Sequence, residues 1–295
     1  MSETSMQLPV NFRDVAIITN QHSHRIRLRC HHLYRSSRLL HTTFSSLPPL
    51  TTNLDLRTRT ELLLFPPPPS TPFTHTPTNL LTPRYQLYLI SHLPFPYILL
   101  LVVYLLFLPR AYATRLISTH VLTPLGLTKI TTLTLSLAAK PLVGVLRLLA
   151  SGESYPVCVS CTVGKDRTGL VVMMVMMILG VEEEVVVKEY VESEGEIMAE
   201  RGEAVRREMM GVGGGLGEEW AWAREETVRG VVEELRRGWG GVEGWCEWAG
   251  FGVEERRRLR SVLVEREYVD GVWEEVEELR EEVEMGVGEV AEKEE

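Results

Sequence analysis

Cysteine is scarce in this chain. Four occur in 295 residues, Cys30, Cys158, Cys161 and Cys246; Cys158 and Cys161 are spaced C-x-x-C, and no second such pair occurs. One pair is not enough for a zinc ribbon, which needs two. No H-E-x-x-H or Cys/His finger spacing occurs, so His22, His24, His31 and His32 read as loop histidines rather than metal ligands. No metal and no cofactor is expected. Residues 1–10 contain no apolar run of the signal-peptide kind, and a reducing, cytoplasmic location is the expectation that goes with unpaired thiols. The apolar run at 97–108 holds twelve residues, whereas a bilayer crossing needs roughly 20. Pro94, Pro96 and Pro109 bracket it. We expect a buried or surface-docked helix there, with contact to a membrane surface as the less favoured alternative.

Acidic side chains are also scarce, but only in the first half. Residues 1–150 carry 14 Lys+Arg against 4 Asp+Glu, and residues 151–295 carry 17 against 36. The same division separates a part rich in Leu, Thr, Pro and Ser from one rich in Glu, Val, Gly and Arg. A drift in overall composition accounts for both. No aromatic-interleaved basic patch and no nucleic-acid motif accompanies the basic half, so a nucleic-acid partner is not expected. There is no internal repeat.

What the sequence does contain is concentrated at 159–180, V-S-C-T-V-G-K-D-R-T-G-L-V-V-M-M-V-M-M-I-L-G. A short apolar run, Pro156 to Val159, predicts a buried strand. It leads through Cys161 into a polar segment that ends at Gly169. Residues 170–179 then have no polar member, which predicts a helix buried on all sides. In a strand, tight loop and helix of this kind, the unpaired N–H groups of the helix start converge on one point, and the helix dipole adds positive potential there. Gly164 lets the loop curl into an anion nest. The backbone of Thr162, Val163, Gly164 and Lys165 would line it. Arg167, six residues after Cys161, can grip two phosphate oxygens with its planar fork. Cys161 would lie under the phosphorus as a nucleophile.

These residues carry a resemblance. C-T-V-G-K-D-R-T-G resembles the signature C-x5-R-S/T of cysteine-dependent tyrosine phosphatases. Its G-K-D-R-T-G core is similar to the bacterial and fungal tyrosine and dual-specificity branch, whose loop usually reads H-C-T-x-G-K-D-R-T-G. Asn11-Phe12-Arg13-Asp14, Leu33-Tyr34-Arg35-Ser36-Ser37 and Leu54-Asp55-Leu56-Arg57, with Glu61 after it, resemble three further family motifs in family order. The resemblance implies an α/β fold, a mostly parallel sheet flanked by helices. It also implies metal-free hydrolysis of phosphate monoesters through phosphocysteine, with a phosphotyrosine protein as the default substrate. Two alternatives stay open. One is a phosphoinositide phosphatase. The other is a phosphate-binding pseudophosphatase, because Ser160 stands where the family usually has His.

The resemblance gives Cys161 the role of nucleophile and Arg167 that of transition-state clamp. Thr168 would hydrogen-bond the sulfur, and Lys165 would add charge at the pocket mouth. No W-P-D loop occurs, so Asp166 is the leading general acid and Asp55 the second candidate. Arg13, Asp14, Asp55 and Arg57 either support the catalytic loop or serve local structure; the sequence leaves both open.

Along the chain, residues 8–268 are expected to form the phosphatase-like domain. Residues 9–62 supply the first strands, and 64–96 form an irregular Pro- and Thr-rich insertion. Helices are expected over 125–150, 182–196, 219–237, 254–267 and 270–284. Residues 211–217 form a glycine-rich break, and 269–295 an acidic helix or tail.

Overall fold

The computed structural model of the chain describes residues 8–199, 202–210 and 215–277. Its strands are β1 (Arg13–Asp14), β2 (Ile26–Leu28), β3 (Leu33–Ser36), β4 (Thr52–Asp55), β5 (Thr74–Pro77), β6 (Val157–Ser160), β7 (Val264–Val269) and β8 (Val272–Glu275). Its first helices are α1 (Val15–His22), α2 (Arg59–Leu64), α3 (Pro83–Ser91), α4 (Phe95–Phe107), α5 (Arg110–Ile117), α6 (Thr123–Leu125) and α7 (Leu127–Leu137). The others are α8 (Ala139–Ala150), α9 (Asp166–Ile178), α10 (Glu183–Met198), α11 (Glu203–Met210), α12 (Glu225–Trp239), α13 (Val242–Ala249) and α14 (Val253–Leu263).

The central sheet has the order β1-β3-β6-β4-β5. Only β1 runs antiparallel, pairing Arg13 with Arg35; β3, β4, β5 and β6 are parallel. The mostly parallel sheet flanked by helices is therefore present. β6 lies in the middle, and all four of its residues are buried, as expected of a short apolar strand covered on both faces. Side chains alternate across it. Val157 and Val159 enter the main core with α8, α9, α10 and α14, while Cys158 enters a smaller cluster with Tyr34, Leu39, Leu50 and Phe73. Helix α9 is the buried apolar helix that the sequence predicts, with Leu170 through Met176 all inside.

β6 places Ser160 opposite Ser36 on one side and Asp55 on the other. In this buried layer Ser160 Oγ donates to Asn53 Oδ1 at 2.8 Å. Each polar group thus meets the need the other would have if left unpaired. The hydroxyl that replaces the family's His is turned to strand β4.

Three expectations change. The Pro-rich 64–96 segment is not irregular throughout: it adds β5 in register with β4, Thr52 opposite Thr74, and then forms α3. Pro77 closes β5 at the sheet edge, where a missing N–H costs no ladder bond. The helix expected over 254–267 stops at Leu263. Beyond it, β7 and β8 form a hairpin around the left-handed Asp270 and Gly271, with β7 also pairing β2. The alternating V-E-R-E-Y-V of β7 suits a strand better than a helix. So the described part of the expected 270–284 helix is a strand; residues 278–295 lie outside the described residues, as do 211–214 of the glycine-rich break. The helices expected over 125–150 and 182–196 are α7, α8 and α10.

Candidate active site

Cys161 follows β6 directly and is only 3% exposed. The chain then turns through Thr162 to Lys165 and enters α9 at Asp166. Gly164 has φ +74°, and its N–H donates to Cys161 Sγ at 3.2 Å. The loop is pressed against the end of β3: a Cβ on Gly164 would stand 2.4 Å from the Ser36 carbonyl carbon and the Ser37 nitrogen. Both the dihedral and the contact demand glycine. Gly164→Ala should therefore cost on the order of 2–3 kcal/mol or more of stability and most of the activity, since the loop can relieve the clash only by opening. Urea unfolding alongside turnover checks this; a wild-type midpoint and rate would contradict it.

Arg167 is held from outside the loop. Its Nη2 lies 2.5 Å from Glu61 Oε1 and its Nη1 2.7 Å from Glu61 Oε2, a two-bond pair. Nη1 also donates to the Leu56 carbonyl at 3.2 Å. Glu61 in turn is fixed by the capping box of α2: Glu61 N–H donates to Thr58 Oγ1, and Thr58 N–H donates to Glu61 Oε2. Thr162 Oγ1 donates to Glu61 Oε1. Burial would raise the Glu61 carboxyl, but the Arg167 charge and these hydrogen bonds hold it well below the usual carboxylate range. Against the effect of burial, Glu61 raises the Arg167 guanidinium above its ordinary value.

A second brace supports the loop from below. Arg35, fully buried on β3, donates through Nη2 to the Gly164 carbonyl at 2.6 Å and through Nη1 to Glu189 Oε2 at 2.5 Å. Arg13 binds the same carboxylate, Nε to Oε1 at 2.9 Å, and the Glu189 carbonyl at 2.6 Å. Burial pushes the Arg13 guanidinium down to about 10, so it stays charged at neutral pH. Asn11, in the left-handed region at φ 60°, donates to the Val163 carbonyl at 3.0 Å. Carbonyls on the back of the loop are thereby satisfied, and its N–H groups are free to face forward.

A sequence profile of the tyrosine phosphatase family matches residues 4–265. The chain belongs to the tyrosine phosphatase family. No curated protein matches it.

The phosphatase brings Cys161, Thr162, Val163, Gly164, Asp166, Arg167 and Thr168 together at one loop. Thr168 Oγ1 is buried without a hydrogen-bond partner, so the bond to the Cys161 sulfur expected of it is not made here. Lys165 differs from expectation. It is not at the pocket mouth: its side chain is fully buried, and Nζ donates to the Trp222 carbonyl at 2.7 Å and meets Asp166 Oδ1 at 3.0 Å. The close approach at Gly164 turns the next side chain inward, and a buried ammonium requires such partners. Asp166 Oδ1 also accepts from Tyr190 Oη at 3.3 Å.

The supporting residues divide. Arg13 reaches the loop through Glu189 and Arg35. Asp14 caps α1, accepting from Ala16 N–H at 2.9 Å and His31 N–H at 2.6 Å, and so closes a turn. Asp55 is buried against Arg57, with Nη2 2.8 Å from Oδ2, and against His75 at 3.0 Å. Burial would raise its carboxyl, but His75 and Arg57 hold it below the usual range. The Asp55 carboxylate is thus engaged by partners on β5 and just after β4, as a local structural role requires. Arg35, Glu61 and Glu189 are the site residues whose roles the sequence reading missed. The first two stand inside quoted motifs; Glu189 lies in the helix after the loop with no local signal of its partner.

Proposed function

We propose that this phosphatase hydrolyses phosphotyrosine in proteins, or a similar aryl phosphate monoester, through a phosphocysteine on Cys161. The observation that carries the proposal is the sulfur's place: recessed at the base of a curled loop, beside a helix start and under an arginine fixed in two directions. Cys161 Sγ attacks phosphorus, forming the S–P bond as the ester P–O bond breaks. Asp166 gives its proton to the leaving oxygen. Water then attacks phosphorus and loses a proton to Asp166, the S–P bond breaks, and inorganic phosphate departs. Arg167 and the loop N–H groups hold the three equatorial oxygens through both steps. A buried sulfur favours a long phenyl ester over a short alkyl one. Lys165 is buried and paired with Asp166, so it offers no cation at the pocket mouth to the extra phosphates of a phosphoinositide.

Acid-quenched turnover of an aryl phosphate in EDTA tests the intermediate. The peptide containing Cys161 should gain one phosphoryl group. Its absence during steady turnover would overturn the reading. Asp166→Asn should cost alkyl phosphates more than activated aryl phosphates, by on the order of tenfold. A series of leaving groups checks this; an unchanged slope would move the acid elsewhere.

A further inference from the structure

A helix that is apolar all round belongs in a core, yet α4, F-P-Y-I-L-L-L-V-V-Y-L-L-F, does not lie in one. Only Leu101 is buried, within a satellite cluster formed with α3 and α5. Elsewhere the helix exposes Leu99, Val102 and Leu105, with Leu106 at 69%, Phe107 at 76% and Phe95 at 79%. The exposed apolar surface does not stop at α4. Arg110, just beyond its end, donates to Thr60 Oγ1 on α2 at 3.3 Å. On α2, Leu63 is 71% exposed and Leu64 is exposed beside it. Helix α2 also carries Glu61, which holds Arg167, so this surface adjoins the catalytic loop.

The charged side chains of α3, α4 and α5 have one sign. No Asp or Glu occurs between Glu61 and Glu153. Arg84 on α3 and Arg110 and Arg115 on α5 are exposed. A second copy would set the same basic rim against itself. A protein partner would need hydrogen-bonding groups to register against, and the exposed face of α4 is Leu, Val and Phe. Among the described residues no single helix is long and apolar enough to cross a membrane. Helix α4, at 13 residues, spans only about 20 Å, against a hydrocarbon core of roughly 30 Å. An apolar helix flanked by two helices that carry basic and no acidic side chains suits the interface of an anionic bilayer.

We infer that α4, with the adjoining end of α2, seats this phosphatase on anionic lipid surfaces. The inference concerns where the enzyme sits and is independent of the reaction pathway. The full chain is tested by co-sedimentation with vesicles of phosphatidylcholine alone, or with about a quarter phosphatidylserine. The chain should pellet with the anionic vesicles and dissociate as salt rises. Leu106→Glu with Phe107→Glu should weaken that binding by roughly tenfold or more, with turnover of a soluble aryl phosphate unchanged as proof of folding. Three results would overturn the inference: no binding of the wild type to anionic vesicles, equal binding by the variant, or a wild-type dimer that the variant converts to monomer. The last would make the face a contact between copies.

Discussion

Cys161→Ser should lower turnover on the order of 10^4-fold or more, because the step that splits the reaction in two disappears. Affinity for a phosphate ester should hardly change. The cradle is backbone, shaped by Gly164 and held by Arg35 and Asn11, and none of these touches the side chain at 161 through anything but the Gly164 N–H. Isothermal titration with a phosphopeptide, next to a turnover assay, separates the two effects. Turnover close to wild type would rule out the phosphocysteine pathway.

Arg167→Lys should be the next most damaging change. Lysine keeps the charge but has no planar fork, so it cannot hold Glu61 through two bonds and still present two donors to a phosphoryl group. We expect kcat to fall about 10^2- to 10^3-fold, with a smaller rise in KM, since the clamp works hardest on transition-state charge. An unchanged kcat would make Arg167 purely structural. Acid should expose the same pair. The Glu61 carboxyl is lower in the folded chain than unfolded, where it titrates near about 4.3. Its stabilisation is therefore complete above that value and is lost as pH falls through the lower folded value. In Arg167→Lys this acid-side loss should shift toward higher pH, as a urea midpoint measured against pH would show.

The parts of the fold that could be read from the chain are those written in short range. The strand-loop-helix at 157–178 is set by a β-branched run, a polar turn and an unbroken apolar stretch, each legible within a dozen residues. Gly169, the last residue of the loop motif, makes sense only with α10 in place: a Cβ there would stand 2.8 Å from the ring of Tyr190. Glu61, Arg35 and Glu189 act across 106, 129 and 154 residues of chain respectively, a range at which periodicity says nothing. Lys165 was misplaced because a motif gives composition and spacing but not the direction in which a side chain leaves a tight turn. The Glu and Arg residues of the 264–275 hairpin have good helix propensity and favour helix over most of it, and the pairing with β2 that decides the matter is invisible locally.

Asn53 and Ser160 are each a polar residue in a buried strand, and the bond between them makes them one unit. Restoring histidine alone would strand the Asn53 amide in the core without its hydroxyl and push a larger ring against β4. Replacing Asn53 alone would orphan the serine. Changing either position alone should therefore cost more stability than changing both together. What the catalytic strand holds is therefore a polar pair whose two members depend on each other, so the position before the nucleophile answers to its neighbour on β4 as well as to the sulfur.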